Sequence, residues 1–258
     1  MKDDLGDDVA LPRPPRRVVS LVPSLTEAVA VTVPGILVGA TDYCTHPADL
    51  DVVRVGGSKY PKVDAMLDCA PDLVVGNAEE NRPEDVRRLR EAGIAVWVTE
   101  APATVPMALE SLRTLFTHAF DVEVPAWLTK ADRAFRDPAP VRTRAVVPVW
   151  RKPWVVLGRD TFGGDVLRRL GVHNVYADHA DRYPRPDVAE LRARFADGEA
   201  DLLVLPDEPY VFTDDDGPDH FPGIPYVLVS GRRLTWYGPS LADARGELDA
   251  ALSRVRTR

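Results

Sequence analysis

Short apolar runs alternate with helix-like segments through the first half of the chain. The run at 17–22 stops at Pro23, and Ser24-Leu25-Thr26-Glu27 then has the spacing of a capping box, in which a hydroxyl and a glutamate satisfy the free amides of a helix start. Asn81-Arg82-Pro83-Glu84 has the same spacing and predicts a second helix, which ends at Gly93. Further strands are predicted at 36–40, 73–75 and 95–98. This alternation is typical of a parallel α/β sheet.

The second half repeats the pattern after a pair of helices. Apolar positions within 104–116 recur at helical spacing, and a second helix is predicted over 125–136, because prolines in 137–140 deny a longer helix its amide donors. Gly171 suits the left-handed C-cap of a helix at 162–170. Strands are predicted at 144–150, 154–158 and 202–205, and further helices at 187–195 and 241–255. The predicted organisation is a disordered tail (1–16), an N-terminal α/β lobe (17–118), a bridging helix (119–140) and a C-terminal α/β lobe (141–258).

Composition and charge narrow the class of partner. The 258 residues, 45% of them hydrophobic, are enough to build cores for two lobes. A net charge of -8 disfavours binding to phosphate backbones or anionic membranes, so no nucleic acid is expected as a partner. The longest apolar stretch, 28–40, is interrupted by Thr32, Pro34 and Gly35, so no membrane insertion is expected.

The first eight residues bear on location. They are acidic and lack the positive start and apolar core of a secretory signal, so the expected location is the cytoplasm. An alternative hypothesis is an exported receptor whose true start lies upstream, which would place it in the periplasm or outside the cell.

Polar residues follow the predicted strands at the points where ligands bind in α/β sheets. Two lobes of this kind predict a ligand clamped between them. Ser24 follows the first strand, and Glu208 follows the strand at 202–205. Asn77 and Glu79 directly follow the strand at 73–75, and their role as solvated capping residues stays open as an alternative.

Two other loops carry candidate ligand groups. The turn Gly56-Gly57-Ser58-Lys59-Tyr60-Pro61 would bring backbone amides and Lys59 to an anionic group, although a plain turn is an equal alternative. The loop at 41–47 carries Tyr43, Cys44 and His46, and an imidazole or thiolate there would reach a metal centre. One cysteine and one histidine make an incomplete coordination set, so a buried Cys44 and a polar loop His46 remain the alternative. Cys44 and Cys69 form no CxxC pair, and reduced thiols are expected.

Aromatic and basic residues are interleaved at two predicted strand ends. Trp150 and Trp154 flank Arg151, and Trp236-Tyr237 follows later. Indole faces give flat contact area and arginine pairs with carboxylates, so this set suits a wide, planar ligand that carries acidic groups. Packing of the tryptophans in the core stays open as the alternative. Lys59, Arg151 and Arg159 are the cations predicted to pair with the ligand's carboxylates.

Catalytic and calcium-binding motifs are absent from the sequence. Asp214-Asp215-Asp216-Gly217 lacks the acid spacing of an EF-hand loop. The sequence contains no nucleophile elbow, no G-x-G-x-x-G fingerprint and no H-E-x-x-H helix. No catalytic residues are therefore predicted, and the chain is expected not to be an enzyme.

Several longer segments resemble one family of binding proteins, the helical-backbone metal receptors, which include the cobalamin-, haem- and siderophore-type substrate-binding proteins of ABC importers. The resemblance covers about 17–252. The segments that carry it are RVVSLVPSLTE (17–27), VGATDYCTHP (38–47), VGGSKYP (55–61), APDLVV (70–75), GNAEENRPEDVRRLREAGIAVWVTE (76–100), WRKPWVVLGRDTF (150–162), LPDEPYVF (205–212) and LTWYGPSL (234–241).

The resemblance implies two Rossmann-like lobes, joined by a helix, that hold a metal chelate between them. Cobalamin or another corrinoid is the first expectation, and haem or a ferric siderophore the second, with no covalently bound cofactor. It also implies an ABC permease as partner. Asp64 takes the place of the family's docking acid in the first lobe, and Glu190 lies next to the corresponding place in the second. The alternative hypothesis from another class is a cytoplasmic tetrapyrrole chelatase or cofactor-handling enzyme.

Overall fold

The computed structural model describes residues 1–257, which divide into two compact units. Unit 1 comprises residues 1–101, 109–129 and 237–239, and unit 2 comprises 102–108, 130–236 and the chain from 240 onward. The predicted lobes are continuous segments. The observed units are not, because residues 102–108 belong to unit 2, and residues 109–129 and 237–239 belong to unit 1. No helix among the described residues has both the length and the apolar character needed to cross a bilayer.

Unit 1 is built on a parallel five-stranded sheet with the order β3-β2-β1-β4-β5. In the centre of the sheet, Val18 lies opposite Leu37 on one neighbouring strand and Leu73 on the other. The strands are β1 (Val18–Ser20), β2 (Leu37–Ala40), β3 (Val53–Arg54), β4 (Leu73–Asn77) and β5 (Ala95–Thr99). The helices that accompany them are α1 (Pro23–Thr32), α2 (Val63–Asp68) and α3 (Pro83–Glu91). Next in the chain come α4 (Val105–Thr114), the π-helical turn Leu115–Ala119 and α5 (Ala126–Phe135).

Every residue of β4 is buried, as expected for a central strand of a parallel sheet with both faces covered. One core cluster of unit 1 joins residues of β1, β4 and β5 to residues of α2 and α3. Its members include Val19, Val74, Val96, Val98, Met66 and Leu89.

Unit 2 contains a parallel four-stranded sheet with the order β11-β10-β6-β9 and a two-stranded antiparallel hairpin. The strands are β6 (Thr143–Val146), β7 (Pro148–Trp150), β8 (Val155–Val156), β9 (Val172–Asn174), β10 (Leu202–Pro206) and β11 (Tyr226–Val229). The helices are α6 (Phe162–Arg169), α7 (Val188–Ala196), α8 (Gly231–Thr235) and α9 (Leu241–Leu252), with a 3-10 turn at Pro218–His220. The predicted α/β class with parallel sheets is therefore what the structure shows.

The helix ends correct one part of the sequence interpretation. The two predicted capping boxes are wrong, because α1 and α3 begin at Pro23 and Pro83, after Val22 and Arg82, and no side chain caps either helix. Proline suits the first helical position, where its missing amide would have no partner in the helix. The helix predicted at 187–195 does have a side-chain cap, because Asp187 Oδ1 accepts a hydrogen bond from Glu190 N at 2.8 Å.

Unit 2 shows two further outcomes of the element predictions. Gly171 closes α6 with φ of 77°, as predicted. The predicted strand at 144–150 is split into β6 and β7, and α9 ends at Leu252, which leaves Val255 exposed.

The N-terminal residues differ from the predicted disordered tail. Val9 is buried, and the carboxylate of Asp3 accepts hydrogen bonds from the amides of Leu5 and Asp7. Arg90 on α3 forms ion pairs with Asp3 and Asp7. These contacts give the acidic segment defined partners in unit 1, which the composition of the segment alone does not reveal.

Candidate functional site

In unit 1, the loops that follow the parallel strands lie at the carboxyl ends of the strands and are joined by hydrogen bonds. Asp42 N, after β2, donates to Gly56 O, after β3, at 2.9 Å. Asn81 Nδ2, after β4, donates to Ser58 O at 3.0 Å, and Lys59 Nζ donates to Glu79 O. The loops after β2, β3 and β4 therefore form one connected surface.

The buried side chain of Asn77 stabilises this surface through hydrogen bonds. Its Nδ2 donates to Thr99 Oγ1 at 3.1 Å and to Glu100 O at 2.8 Å, and its Oδ1 accepts from Glu79 N at 2.9 Å. The side chain is buried, and its amide is occupied by these partners. The structure thus gives Asn77 a role in positioning Glu79, and does not favour it as a direct ligand contact.

Ser24 is also an internal residue. It is buried in the first turn of α1, and its Oγ accepts a hydrogen bond from Tyr237 N at 3.3 Å. A Cβ at Gly238 would lie 2.9 Å from Ser24 O, so only glycine allows this approach without displacement of the backbone. Tyr237 is itself buried. The contacts of Tyr237 and Gly238 with Ser24 therefore attach the segment 237–239 to the start of α1 within unit 1.

Two tyrosines project from the connected loops. Tyr43 is 66% exposed and Tyr60 is 74% exposed. A Cβ at Gly57 would lie 3.4 Å from the ring of Tyr43, and the guanidinium of Arg82 lies over the ring of Tyr60 with 4.8 Å to its centroid. Tyr60 is a candidate contact that the sequence interpretation did not select. Its only signal in the sequence is its position in the turn after a predicted lobe strand.

Cys44 and His46 do not come together as a metal site. Cys44 is fully buried, and its Sγ lies 2.9 Å from Thr26 Oγ1 and 3.1 Å from Thr41 Oγ1. Burial raises the pKa of the Cys44 thiol, with hydrogen bonds from the two threonines opposing the rise. The neutral thiol is therefore favoured, which corrects the expectation of a thiolate ligand. His46 is partly exposed, with Nδ1 3.0 Å from Thr45 Oγ1, and within residues 1–257 no group of three metal-ligating His, Cys, Asp or Glu side chains occurs.

Glu80 is an additional titratable group on the surface formed by these loops. Burial raises the pKa of its carboxyl, while Lys59 lowers it and Glu79 raises it further. The surface of unit 1 thus combines exposed aromatic rings, a lysine and a carboxyl whose charged form is disfavoured.

In unit 2, the loops after β10 and β11 are joined through two adjacent acids. Asp207 Oδ1 accepts a hydrogen bond from Gly231 N at 2.6 Å, and Glu208 Oε2 accepts one from Trp236 Nε1 at 2.9 Å. A Cβ at Gly231 would lie 2.5 Å from Glu208 N, so glycine is required for this close approach. Burial raises the pKa of Glu208, and the charge on Asp207 adds to that effect. Trp236 is buried in this arrangement, which favours packing over ligand stacking.

The hairpin β7–β8 gives its two tryptophans different environments. Trp150 is 44% exposed and meets Tyr210 edge to face, with 5.7 Å between ring centroids. Trp154 is buried and stacks on Phe212 with an interplanar angle of 6°. Trp154 therefore belongs to the core, which was the open alternative, and Trp150 presents its ring to solvent.

The predicted cations of unit 2 are largely committed to acids of the same unit. Arg151 forms an ion pair with Asp216, and its Nη1 lies 3.8 Å from Asp219 Oδ1. Arg159 Nε lies 2.8 Å from the carboxylate of its neighbour Asp160, and both side chains are exposed. Arg151 therefore stabilises the hairpin through its ion pairs with these acids, whereas Arg159 stays accessible to solvent.

The two predicted docking acids lie on separate units. Asp64, in the first turn of α2, is exposed and pairs with Arg88 at 2.6 Å. Glu190, in the first turn of α7, accepts a hydrogen bond from Tyr176 Oη at 3.0 Å and lies 3.6 Å from Arg194. Their role in docking stays a prediction.

Known proteins resemble this chain in sequence and in fold. The model of the family described as periplasmic binding protein matches residues 18–200. The vitamin B12-binding protein of Vibrio cholerae is 25% identical over 194 residues, which cover 71% of this chain and 69% of the relative. The uncharacterized ABC transporter substrate-binding lipoprotein YvrC of Bacillus subtilis is 30% identical over 97 residues, 36% of this chain and 31% of that protein.

A solved structure, that of a periplasmic heme-binding protein from Pseudomonas aeruginosa, superposes with a TM-score of 0.75. It is 22% identical and covers 94% of each chain, so it establishes similarity of fold. The predicted resemblance to the metal-receptor superfamily and the predicted non-enzymatic class are confirmed by these matches, since the matched proteins are binding proteins.

The expected cytoplasmic location is wrong. Two of the matched proteins are described as a periplasmic heme-binding protein and an ABC transporter substrate-binding lipoprotein, and the matching family is itself described as periplasmic. These findings point to a location outside the cytoplasm. The acidic start of the chain was the basis of the wrong expectation.

Proposed function

The chain belongs to the periplasmic binding protein family, and from this premise we propose that it is a receptor for a metal chelate, a corrinoid first and haem second. The observation that carries the choice of ligand is the match of 194 residues to a vitamin B12-binding protein. The match to a heme-binding structure supports the second ligand only through the fold.

Exposed aromatic rings at the strand ends support this ligand class. Unit 1 offers Tyr43 and Tyr60, and unit 2 offers Trp150. Each ring is held by a neighbour on the same unit, so little conformational entropy would be lost when a flat ligand packs on it. We therefore assign the aromatic contacts to these three residues. That the ligand is clamped between the two lobes stays a prediction.

The cations that remain exposed indicate that the ligand carries anionic groups. Arg151 is occupied by Asp216, but its neighbour Lys152 is exposed at the tip of the hairpin with φ of 70°. Lys59 and Arg159 are exposed as well. We assign Lys59, Lys152 and Arg159 to the phosphate or carboxylate groups that a cobalamin or a haem carries at its periphery.

Titration of the purified protein tests the proposal. Cyanocobalamin, dicyanocobinamide, haemin and a ferric hydroxamate are added separately, and heat and visible absorbance are measured. We expect saturable one-to-one binding of a corrinoid. Binding of haemin alone would transfer the proposal to haem, and no binding of any of the four would refute the metal-chelate proposal.

A matched pair of variants tests the aromatic contact. Trp150→Ser removes an exposed ring at the end of β7 in the hairpin that follows β6, and we expect at least a tenfold loss of affinity, about 1.4 kcal/mol. Val141→Ser changes an exposed apolar residue that precedes β6, at the opposite end of that strand, and should leave affinity unchanged. Equal affinities of the two variants would remove Trp150 from the site.

We further propose an ABC permease as the partner, because one relative is named as the substrate-binding lipoprotein of an ABC transporter. Asp64→Arg reverses the charge of the candidate docking acid in unit 1, and Asp68→Arg makes the same change at an exposed position at the end of α2. In cells that express receptor and permease, corrinoid uptake should fall with the first variant only, while solution affinity stays constant in both. Unchanged uptake with Asp64→Arg would contradict the assignment.

A further inference from the structure

We propose that residues 1–8 act as a cover on the edge of the unit 1 sheet, and that the uncovered edge pairs with the same strand of a second copy of this chain. The edge in question is β5, which is the last strand of the order β3-β2-β1-β4-β5. A strand at an edge exposes a row of backbone donors and acceptors that is a template for another strand.

The outward backbone groups of β5 and the residue after it are occupied by charged side chains. Val98 N donates to Asp3 Oδ2 at 3.2 Å, and Glu100 N donates to Asp4 Oδ2 at 3.1 Å. Arg90 Nη2 donates to Val96 O at 3.3 Å. These three positions are spaced by two residues, which is the spacing of groups on one side of a strand. The carboxylates thus stand where the carbonyl groups of a neighbouring strand would lie.

The cover is held in its own fold. Asp3 Oδ1 accepts from Leu5 N at 3.1 Å and from Asp7 N at 2.9 Å, and the side chain of Asp3 is completely inaccessible. Arg90 pairs with Asp3 at 3.0 Å and with Asp7 at 2.6 Å. The second acid, Asp4, also accepts a hydrogen bond from Ser111. Asp3 therefore serves both to shape the segment and to cap the edge.

The contacts explain why a second copy is the expected occupant of an uncovered edge. The cover accepts hydrogen bonds from Val98 N and Glu100 N through side chains, so its removal leaves these two amides without protein partners. Two β5 strands in antiparallel orientation supply each other with donors and acceptors, and such a self-complementary contact closes as a two-fold dimer. The opposite edge strand, β3, has only two residues and offers fewer groups.

Apolar surface adjoins the same edge. A cavity of about 590 Å³ lies between the cover and α3, and its lining includes Leu5, Val86 and Val98. Removal of the cover would expose Val86 and Val98 next to the free backbone groups. Burial of that surface adds a favourable term to pairing of two chains.

Deletion of residues 1–8 tests the proposal, with light scattering after size exclusion at rising protein concentration. We expect a monomer for the intact chain and a dimer for the deletion variant. Asp3→Ala/Asp4→Ala, which keeps the chain length, should also dimerise, and Asp8→Ala, whose exposed carboxylate pairs with Lys2, should not. If the deletion variant fails to fold by circular dichroism, the double variant decides.

A second substitution identifies the surface that pairs. Glu100→Pro removes an edge amide donor, because proline has no N–H. Introduced into the deletion variant, it should restore the monomer. A folded deletion variant that stays monomeric while the amides of Val98 and Glu100 exchange rapidly would overturn the proposal, and so would a dimer that Glu100→Pro leaves intact.

Discussion

Asp165 Oδ2 accepts a hydrogen bond from Arg169 Nε at 2.7 Å, one turn further along α6, and each of the two residues also caps the end of another helix. The same Asp165 oxygen accepts from Val105 N at 2.9 Å, at the first residue of α4. Arg169 donates to Phe135 O, at the last residue of α5. One buried ion pair therefore satisfies a free amide of one helix and a free carbonyl of another, all within unit 2.

Removal of the cation should destabilise unit 2 strongly. Arg169→Met leaves the buried carboxylate of Asp165 without its buried partner, and a loss of about 3–5 kcal/mol in the free energy of unfolding is expected. Arg168→Met is the matched control, because Arg168 bonds to the same carboxylate but is half exposed, so its loss should cost about 1 kcal/mol or less. Urea unfolding measures both. Equal losses would show that burial of Arg169 does not matter.

The same carboxylate should make stability depend on acid. Burial by itself raises the pKa of Asp165, but the bonds from Arg169, Val105 N and Arg168 outweigh it and hold the pKa below its usual value. The contribution is therefore present above the unfolded value of about 3.9 and is lost as pH falls through the lower folded value. Asp165→Asn should be less stable than the unchanged protein at neutral pH, and the difference should shrink in strong acid. A constant difference across this range would contradict the assignment.

Trp154 and Trp150 should separate stability from binding. Trp154→Ala removes a ring stacked on Phe212 and in edge contact with Phe221, so a loss of about 3–5 kcal/mol is expected. Trp150→Ala removes only an edge contact with Tyr210, and about 1 kcal/mol or less should be lost. Thermal unfolding and corrinoid titration are measured on both variants. A stability loss at Trp150 as large as that at Trp154 would place its ring in the core.

The strands were predictable because their apolar runs are local signals. β4 and β10 are fully buried and appear in the sequence as continuous apolar segments. The helix starts at Ser24 and Asn81 were mistaken because a capping box and an N1 proline occur in the same few residues, and the proline determines the start. Short elements such as β9 and α8 depend on neighbours in unit 2 and have no such signal.

The candidate site was less predictable because exposure is a tertiary property. The segment from Trp150 to Trp154 places two identical residues four positions apart, yet one is exposed and the other is stacked on Phe212. Arg151 looked available in the sequence, but the acid that occupies it, Asp216, is 65 positions later in the chain. Likewise, the partner of the acidic start is Arg90, and nothing near residues 1–8 indicates it.

The hydrogen bond between Trp236 and Glu208 should make the protonation of the Glu208 carboxyl measurable. Burial, and then the charge of Asp207, raise the pKa of Glu208, so the folded state favours its protonated form. The stability that this form contributes is present below the unfolded value of about 4.3 and is lost as pH rises through the higher folded value. The indole N–H resonance of Trp236, which bonds to Glu208 Oε2 at 2.9 Å, should shift in that same window. In Glu208→Gln the resonance should stay fixed there, and stability should no longer fall as pH rises. A resonance that titrates equally in the variant would show that a group other than Glu208 controls the indole.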